Sequence, residues 1–437
     1  MKSKNGQNKS SQFFLLIRGC LIISALTIIF LELSSWLLFE NFTGKNFDIK
    51  ALNLEREARI IELNKNITSN SKTLFRFHPY LGYAGVPGAH PWGKDSTSFN
   101  DFGMLSIPNH SYPYKRKSDE FVIAVLGGSM AEIFANLGAE YFNSIAKEKR
   151  GFTKKVIFIS LATGGYKQPQ QLIHLSLAML SGFEFDAVLN LDGFNDLALA
   201  QENQNMNGNA LFPSLNHFAL MAKLSNSPDK ETINSLNHYY KLIEYEKNIL
   251  NFFRKPLLEI SPSCALFGDA FSKYFDKKRS KVKYNLTKTA HNSLSTAFVG
   301  PPIKGNGIQF PIDIWQQASR IMYSILKQRK ITYIHALQPN QYFEGSKPLS
   351  KKEKEVAYNP EHPWGKIIKK HYSLMVKAGN ELKQEGVPFF DLTRIFMENN
   401  EDLYVDDCCH VGDRGNEILA EKFVSIIFNE HAIQNSN

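Results

Sequence analysis

From Phe13 to Phe39 the chain reads FFLLIRGCLIISALTIIFLELSSWLLF, an almost continuous apolar run. It is longer than the roughly 20 residues that cross a bilayer as a helix. Arg18 and Glu32 interrupt it, each near enough to one end to reach headgroups. The pattern predicts a transmembrane helix over 13–39. Lys2, Lys4, Lys9 and Arg18 mark its leading side, whereas Glu40, Lys45, Asp48, Lys50 and Glu55 mix signs after it. Positive-inside bias therefore puts a leader, 1–12, in the cytoplasm and all that follows Phe39 on the extracytoplasmic side, the periplasm in a bacterium. A cleaved signal peptide is the competing reading. Against it, the run exceeds the usual apolar region of roughly 7 to 15 residues and ends in bulky Trp36, Leu37, Leu38 and Phe39.

Residues 40–117 read as a stalk and an irregular lead-in. Leu52, Ile60, Leu63 and Ile67 share one helical face, and Glu55 and Arg59 stand at i, i+4, which suits a solvated helix. A stretch rich in Gly and Pro follows, from His78 to Gly93. From Phe121 short apolar segments alternate with amphipathic ones, as in a parallel sheet covered on both faces. The expected strands are 121–127, 155–162, 186–192, 331–338 and 387–392. Helical faces are expected at Ile173, Leu177 and Leu180, at Ile314, Ala318, Ile321 and Ile325, and at Leu419, Phe423, Ile426 and Ile427. Between the third and fourth strands, 201–311 is too long for a simple crossover, and Leu236, Tyr240 and Ile243 again look helical. This reads as a mainly helical cap inserted into one α/β domain spanning 118–432. The pentapeptide HPWGK occurs at 90–94 and 362–366, a single short match that is not a repeat architecture.

Composition removes several classes without choosing a function. With 437 residues, 43% hydrophobic, 21% charged, 27 Gly and 18 Pro, the chain is neither collagen-like, coiled-coil nor disordered. The net charge of +9 permits contact with anionic surfaces without demanding it. The run Lys277, Lys278, Arg279, Lys281 and Lys283 reads first as a solvated face of the insertion, and more sharply as a contact for an anionic glycan or headgroup. No nucleic-acid motif accompanies it, so no nucleic-acid partner is expected. Four Cys, at 20, 264, 408 and 409, form neither a disulfide framework nor zinc-type pairs. Cys264 paired with Cys408 or Cys409, and free thiols, both remain open.

The chemistry-bearing residues gather at strand ends, where open parallel sheets bind ligands. Gly127, Gly128 and Ser129 end the first strand and lead into a helix, which puts the Ser129 hydroxyl near a positive helix terminus. Alone, Ser129 reads as readily as an N-cap. The second strand ends in Thr163, Gly164, Gly165 and Tyr166, a turn whose backbone N–H groups can face an anion. The third ends in Asp192, Gly193, Phe194, Asn195 and Asp196, where Asn195 either aims its amide into the crevice or forms an Asx turn. Before the last helix, Asp407 stands three residues ahead of His410, a spacing that lets a carboxylate reach Nδ1 and leaves Nε2 free as a base. A cysteine nucleophile beside His410 is the lesser reading, because no strand end presents a thiol as Ser129 is presented.

In this order the Ser, Gly, Gly-x-Asn-Asp and Asp-x-x-His blocks resemble the SGNH/GDSL hydrolase family, over Phe121 to about Phe428. NDFGM at 100–104 and LQPNQY at 337–342 look like words of its membrane-anchored, extracytoplasmic members. The first block is Gly-Gly-Ser-Met where the family often has Gly-Asp-Ser-Leu, and Ser160 stands where an Asn is common. The resemblance implies a flavodoxin-like three-layer α/β sandwich. It makes Ser129 the nucleophile, His410 the base and Asp407 the orienting acid. Ser129 N–H, Gly165 N–H and the Asn195 amide would form the oxyanion hole, with no metal or organic cofactor. The expected reaction is removal of ester-linked acyl groups, O-acetyl above all, from extracytoplasmic carbohydrate. O-acetyl transfer to glycan and a non-catalytic glycan-binding scaffold are the alternatives.

Overall fold

The computed structural model describes residues 5–67, 74–92, 97–107, 110–205, 208–217, 230–297 and 307–436. In chain order the elements are α1 (Asn5–Thr43), α2 (Ile49–Ile67), β1 (Phe75–His78), β2 (Gly82–Gly85), β3 (Glu120–Gly127), α3 (Ser129–Arg150), β4 (Lys155–Ser160), α4 (Gln170–Leu180), β5 (Ala187–Asp192) and α5 (Phe194–Asn205). There follow α6 (Lys230–Phe253), α7 (Pro262–Ala297), α8 (Gln309–Gln328), β6 (Thr332–Leu337), α9 (Lys351–Val356), α10 (Pro363–Gln384), β7 (Phe389–Asp391) and α11 (Asp413–Ser436). They fall into two compact units, Lys72–Ser227 with Thr287–Asn437, and Met1–Ser71 with Pro228–Leu286.

The larger unit holds a five-stranded parallel sheet in the order β4-β3-β5-β6-β7. A helix must intervene between parallel neighbours, and the apolar runs alternate with helical stripes for that reason. Every position of β3, β5 and β6 is buried, which is why these strands read as unbroken apolar segments rather than as alternation. One face carries Leu175, Phe194, Trp315, Tyr372 and Met375; the other carries Phe134, Phe142, Phe158, Phe423 and Ile427. The chain goes first from β3 to β4 on one side and then crosses back to β5 on the other. That reversal opens a crevice at the carboxyl ends of β3 and β5, the flavodoxin-like arrangement.

Two helical faces differ from expectation. On α4 the buried side is Gln171, His174, Leu175 and Ala178, while Leu180 is 83% exposed. On α8 it is Ile312, Trp315, Ala318, Ser319, Met322 and Leu326, with Ile321 turned out. In both helices buried polar or aromatic residues set the face: His174 bonds the Leu161 carbonyl, and Trp315 bonds Asp192. Simple aliphatic counting cannot see such partners.

The smaller unit is helical. Within α1, Leu16–Thr43 is long and apolar enough to cross a membrane, a property shared by an anchor and a signal sequence. The reading of α2 as a solvated stalk is corrected: Ile60 and Leu63 are buried against Ile243 and Leu250 of α6. Arg59 does not pair with Glu55. It bonds Glu246 at 2.9 Å as well as Glu62 and Asp276, and Arg279 completes the network from α7. The described part of the insertion thus finds packing partners on the N-terminal helices. Glu246 is buried among these guanidinium groups, so its removal leaves like charges facing one another. Glu246→Ala should cost about 3 kcal/mol in local stability, read as faster amide hydrogen exchange in 230–286 with exchange in the sheet unchanged.

Candidate active site

Ser129 is the first residue of α3, and Gly128 before it is extended, at φ −93° and ψ −152°. A Cβ on Gly128 would sit 2.0 Å from Asn195 Nδ2, so only glycine admits the amide to this spot. Asn195, in the first turn of α5, also donates to the Tyr166 carbonyl at 2.9 Å. That bond fastens the turn after β4 to the turn after β5. In the turn after β4, Gly165 has φ +80°, and a Cβ there would meet the Tyr83 hydroxyl at 2.6 Å. Tyr83 on β2 donates to the Gly164 carbonyl at 2.8 Å, and Tyr166 donates back to the Tyr83 carbonyl at 2.6 Å. The lead-in hairpin, which sequence treated as irregular, therefore holds the loop that carries Gly165. Asp196 accepts from the backbone N–H groups of Gln168 at 2.7 Å and Gly193 at 3.3 Å, a second tie between the same two turns.

His410 Nε2 lies 2.7 Å from Ser129 Oγ. Nδ1 bonds a carboxylate oxygen, so it carries the proton, and Nε2 accepts from the Ser129 hydroxyl. That carboxylate belongs to Asp406. The assignment of this role to Asp407 is corrected: Asp407 offers its backbone carbonyl to the Tyr342 hydroxyl at 2.8 Å and does not bond His410. The loop explains the change. Tyr404 bridges Val411, and inside that closure Asp406 Oδ1 accepts from the N–H groups of Cys408, Cys409 and His410 at 3.0, 3.2 and 3.2 Å. Folding the loop around this oxygen turns Oδ2 to the imidazole. Burial pushes the Asp406 carboxyl up, but His410 and the amides outweigh it and hold the group below its ordinary value.

The words around the site also acquire physical roles. Asn340, Gln341 and Tyr342, just past β6, bond the backbone carbonyls of Cys408, Asp406 and Asp407 at 3.3, 3.0 and 2.8 Å. LQPNQY is thus a clamp on the loop that presents Asp406 and His410. Asn100 accepts from the N–H groups of Phe102 and Met104, and Gly103 bonds β2 through its carbonyl, so NDFGM is a turn packed on the lead-in hairpin. All four cysteines are free. Cys408 Sγ and Cys409 Sγ lie 3.4 Å apart, and with His410 they cluster closely enough to share a metal ion, although both imidazole nitrogens are already bonded. Beneath the site, Asp192 accepts from Trp315 Nε1 at 2.7 Å, His335 Nε2 at 2.9 Å and Asn190 Nδ2 at 3.0 Å.

Besides Asp406 and Tyr83, sequence reasoning missed Glu132 and Trp92. Glu132, one helical turn past Ser129, is buried, bonds the Gly164 N–H and the Trp92 side chain, and its Oε1 has no hydrogen-bond partner among the described residues. Trp92 is 40% exposed, with its ring 5.5 Å from that of His410, edge to face. The second HPWGK resembles it, since the Trp364 side chain stands beside Glu202 on α5 and opposes the upward push of burial on that carboxyl. In both, a tryptophan of the pentapeptide meets a glutamate on the helix that follows a site strand; Gly93 and Lys94 of the first copy lie outside the described residues. A Glu at i+3 from the serine was the available signal, masked because acidic residues in a first helical turn are ordinary.

No protein-family model matches this chain, and no curated protein matches it. Among solved structures it is similar to the acetyl xylan esterase AlAXEase, at 13% identity and TM-score 0.33 over 70% of this chain and 99% of that one. It is also similar to a GDSL-like lipase of Bacteroides thetaiotaomicron, at 12% identity and TM-score 0.32 over 74% and 92% of the two chains. A third is the lipase Lip_vut3 from a goat rumen metagenome, at 12% identity and TM-score 0.27 over 70% and 97%.

Burial pushes the Glu132 carboxyl up from 4.5 to about 8, against the opposing bonds from Gly164 and Trp92. A raised folded value means that the stability this group contributes is complete below the unfolded value of 4.5 and is lost as pH climbs to about 8. Glu132→Gln has no proton to lose. Its Tm relative to the native chain should therefore rise between about pH 5 and pH 8 and then level off; a constant difference in thermal denaturation across that range would mean that Glu132 is already ionised.

Proposed function

We propose that this protein is a serine esterase, anchored by α1, that removes acyl groups from ester-linked carbohydrate outside the cytoplasm. The relay from Ser129 to His410 to Asp406 carries the reading. His410 Nε2 takes the Ser129 proton as Oγ attacks the ester carbonyl carbon. The carbonyl oxygen becomes an oxyanion, for which the Gly165 N–H, the Ser129 N–H and the Asn195 amide are the donors this reading assigns. Such donors are commonly worth about 2.7 to 4 kcal/mol each. The tetrahedral intermediate collapses, the alkoxide leaves with the proton from imidazolium, and the acyl group stays on Oγ. Water, deprotonated by His410, then attacks the acyl carbon, the bond to Oγ breaks, the imidazolium returns its proton to Ser129 Oγ, and the carboxylic acid leaves. Asp406 keeps Nδ1–H pointed at itself and stabilises the imidazolium. The exposed Trp92 beside His410 supports a sugar as the alcohol part, because a flat aromatic face suits the C–H face of a pyranose.

The test is covalent labelling by a fluorophosphonate probe together with hydrolysis of an acetylated oligosaccharide. Ser129→Ala should abolish labelling. Asp406→Asn should lower turnover by about 10⁴-fold, and Asn195→Ala by about 10² to 10³-fold. Asp407→Asn should stay within about tenfold of native, since it gives up no bond to His410. Absence of labelling in a folded sample would end the esterase reading; the reverse order of the two aspartates would restore Asp407 as the acid.

A further inference from the structure

The turn between α6 and α7 is fastened to α1. Ser261 Oγ and Ser263 Oγ donate to Glu32 Oε1 at 2.7 and 2.6 Å, and the Ser263 N–H donates to Oε2 at 3.2 Å. Glu32 thereby caps the N-terminus of a helix far along the chain. It lies inside the apolar run, seven residues before Phe39, which is ~10 Å along the helix axis. On other sides of α1 at this level Leu33, Trp36 and Leu37 are bare, at 57, 53 and 66% exposure. An apolar environment thus reaches to Glu32 and past it toward Phe39, and the turn stands at the same height.

The turn is built for such an environment. Leu257 and Ile260 project from it, and Phe252 and Phe267 from the adjoining ends of α6 and α7, with 80, 50, 49 and 57% of their surfaces exposed. Leu257 occupies the left-handed region, at φ 70°, an unusual backbone for leucine that holds it at the tip. Arg254 and Lys255 flank these side chains, both exposed. Apolar groups in the acyl boundary with cations at phosphate level is the pattern of interfacial binding. A soluble partner would have to reach the depth of Glu32 to cover the same surface.

We propose that the α6–α7 turn is a second membrane contact, entering the headgroup–acyl boundary of the leaflet at the C-terminal half of α1. Its partner is phospholipid: acyl chains for Phe252, Leu257, Ile260 and Phe267, and phosphate for Arg254 and Lys255. The contact rests on α1 being retained as the anchor and is independent of the chemistry at Ser129.

The full chain in nanodiscs of phosphatidylcholine and phosphatidylglycerol tests it. In a background of Cys20→Ser, Cys264→Ser, Cys408→Ser and Cys409→Ser, an environment-sensitive fluorophore is attached through Leu257→Cys, Ile260→Cys, Leu26→Cys or Lys281→Cys. Labels at 257 and 260 should emit to the blue and be quenched severalfold more by lipid spin labels near the headgroup than by aqueous iodide. The label at 26 should respond to spin labels deep in the chains, and that at 281 to iodide. If 257 and 260 behave like 281 while 26 is quenched by lipid, the proposal is wrong. If 26 is not quenched by lipid, or the purified chain begins beyond α1, the anchor is lost and the proposal with it. Fluorophosphonate labelling of the native chain reads the esterase separately.

Discussion

A single carboxylate organises the site. Asp406 spends one oxygen on three consecutive amides and the other on the imidazole, so the fold of its loop and the orientation of His410 are one event. The arrangement resembles an anion held in a nest of N–H groups, except that the anion belongs to the chain itself. Its charge thus lies against the imidazole nitrogen opposite the one that meets Ser129. Asn340, Gln341 and Tyr342 clamp the same loop from outside through its carbonyls. Three N–H groups and three carbonyls of the loop are thus bonded, and Trp92 stands beside His410 at its partly exposed edge.

The sheet was legible because its chemistry is local. Strands buried on both faces must be apolar throughout, and all five expected segments became strands within a few residues. The serine, the Gly165 turn and Asn195 were legible for a similar reason, since Gly-Gly-Ser and Gly-x-Asn are backbone requirements written as residue types. The acid was not. Asp406 and Asp407 are adjacent, spacing alone allows either to reach His410, and the choice falls to a loop closure formed by Tyr404 and Val411. The stripes on α4 and α8 failed where buried polar or aromatic partners, His174 and Trp315, decided which side faced inward.

Residues that sequence passed over share one trait: their role depends on a partner distant in the chain. Tyr83 matters because it meets Gly164, and Glu132 because it joins Gly164 to Trp92. A buried carboxyl kept neutral can accept from both without bringing a full negative charge beside the Gly164–Gly165 turn. The same pairing of tryptophan and glutamate in the second HPWGK lies on α5, the helix that carries Asn195. The tryptophans of the two copies thus stand beside a glutamate at two helices, and nothing further makes the pentapeptide an architectural repeat.

A charge inside an apolar run is costly unless it is bonded, and this constraint ties α1 to the insertion. Glu32 has its hydrogen bonds only because Ser261 and Ser263 come to it from more than 200 residues away. Arg59 and Arg279 face the buried Glu246 on the same principle, each side supplying what the other cannot bury alone. Neither set of residues is explicable within its own segment: the serines would be an unremarkable helix start, and Glu32 a lone charge in an apolar helix. Together they join the N-terminal helices and residues 230–286 in one compact unit. Within the long gap between the third and fourth strands, the described residues 230–286 thus supply partners for the N-terminal helices, which a reading confined to the sheet could not show.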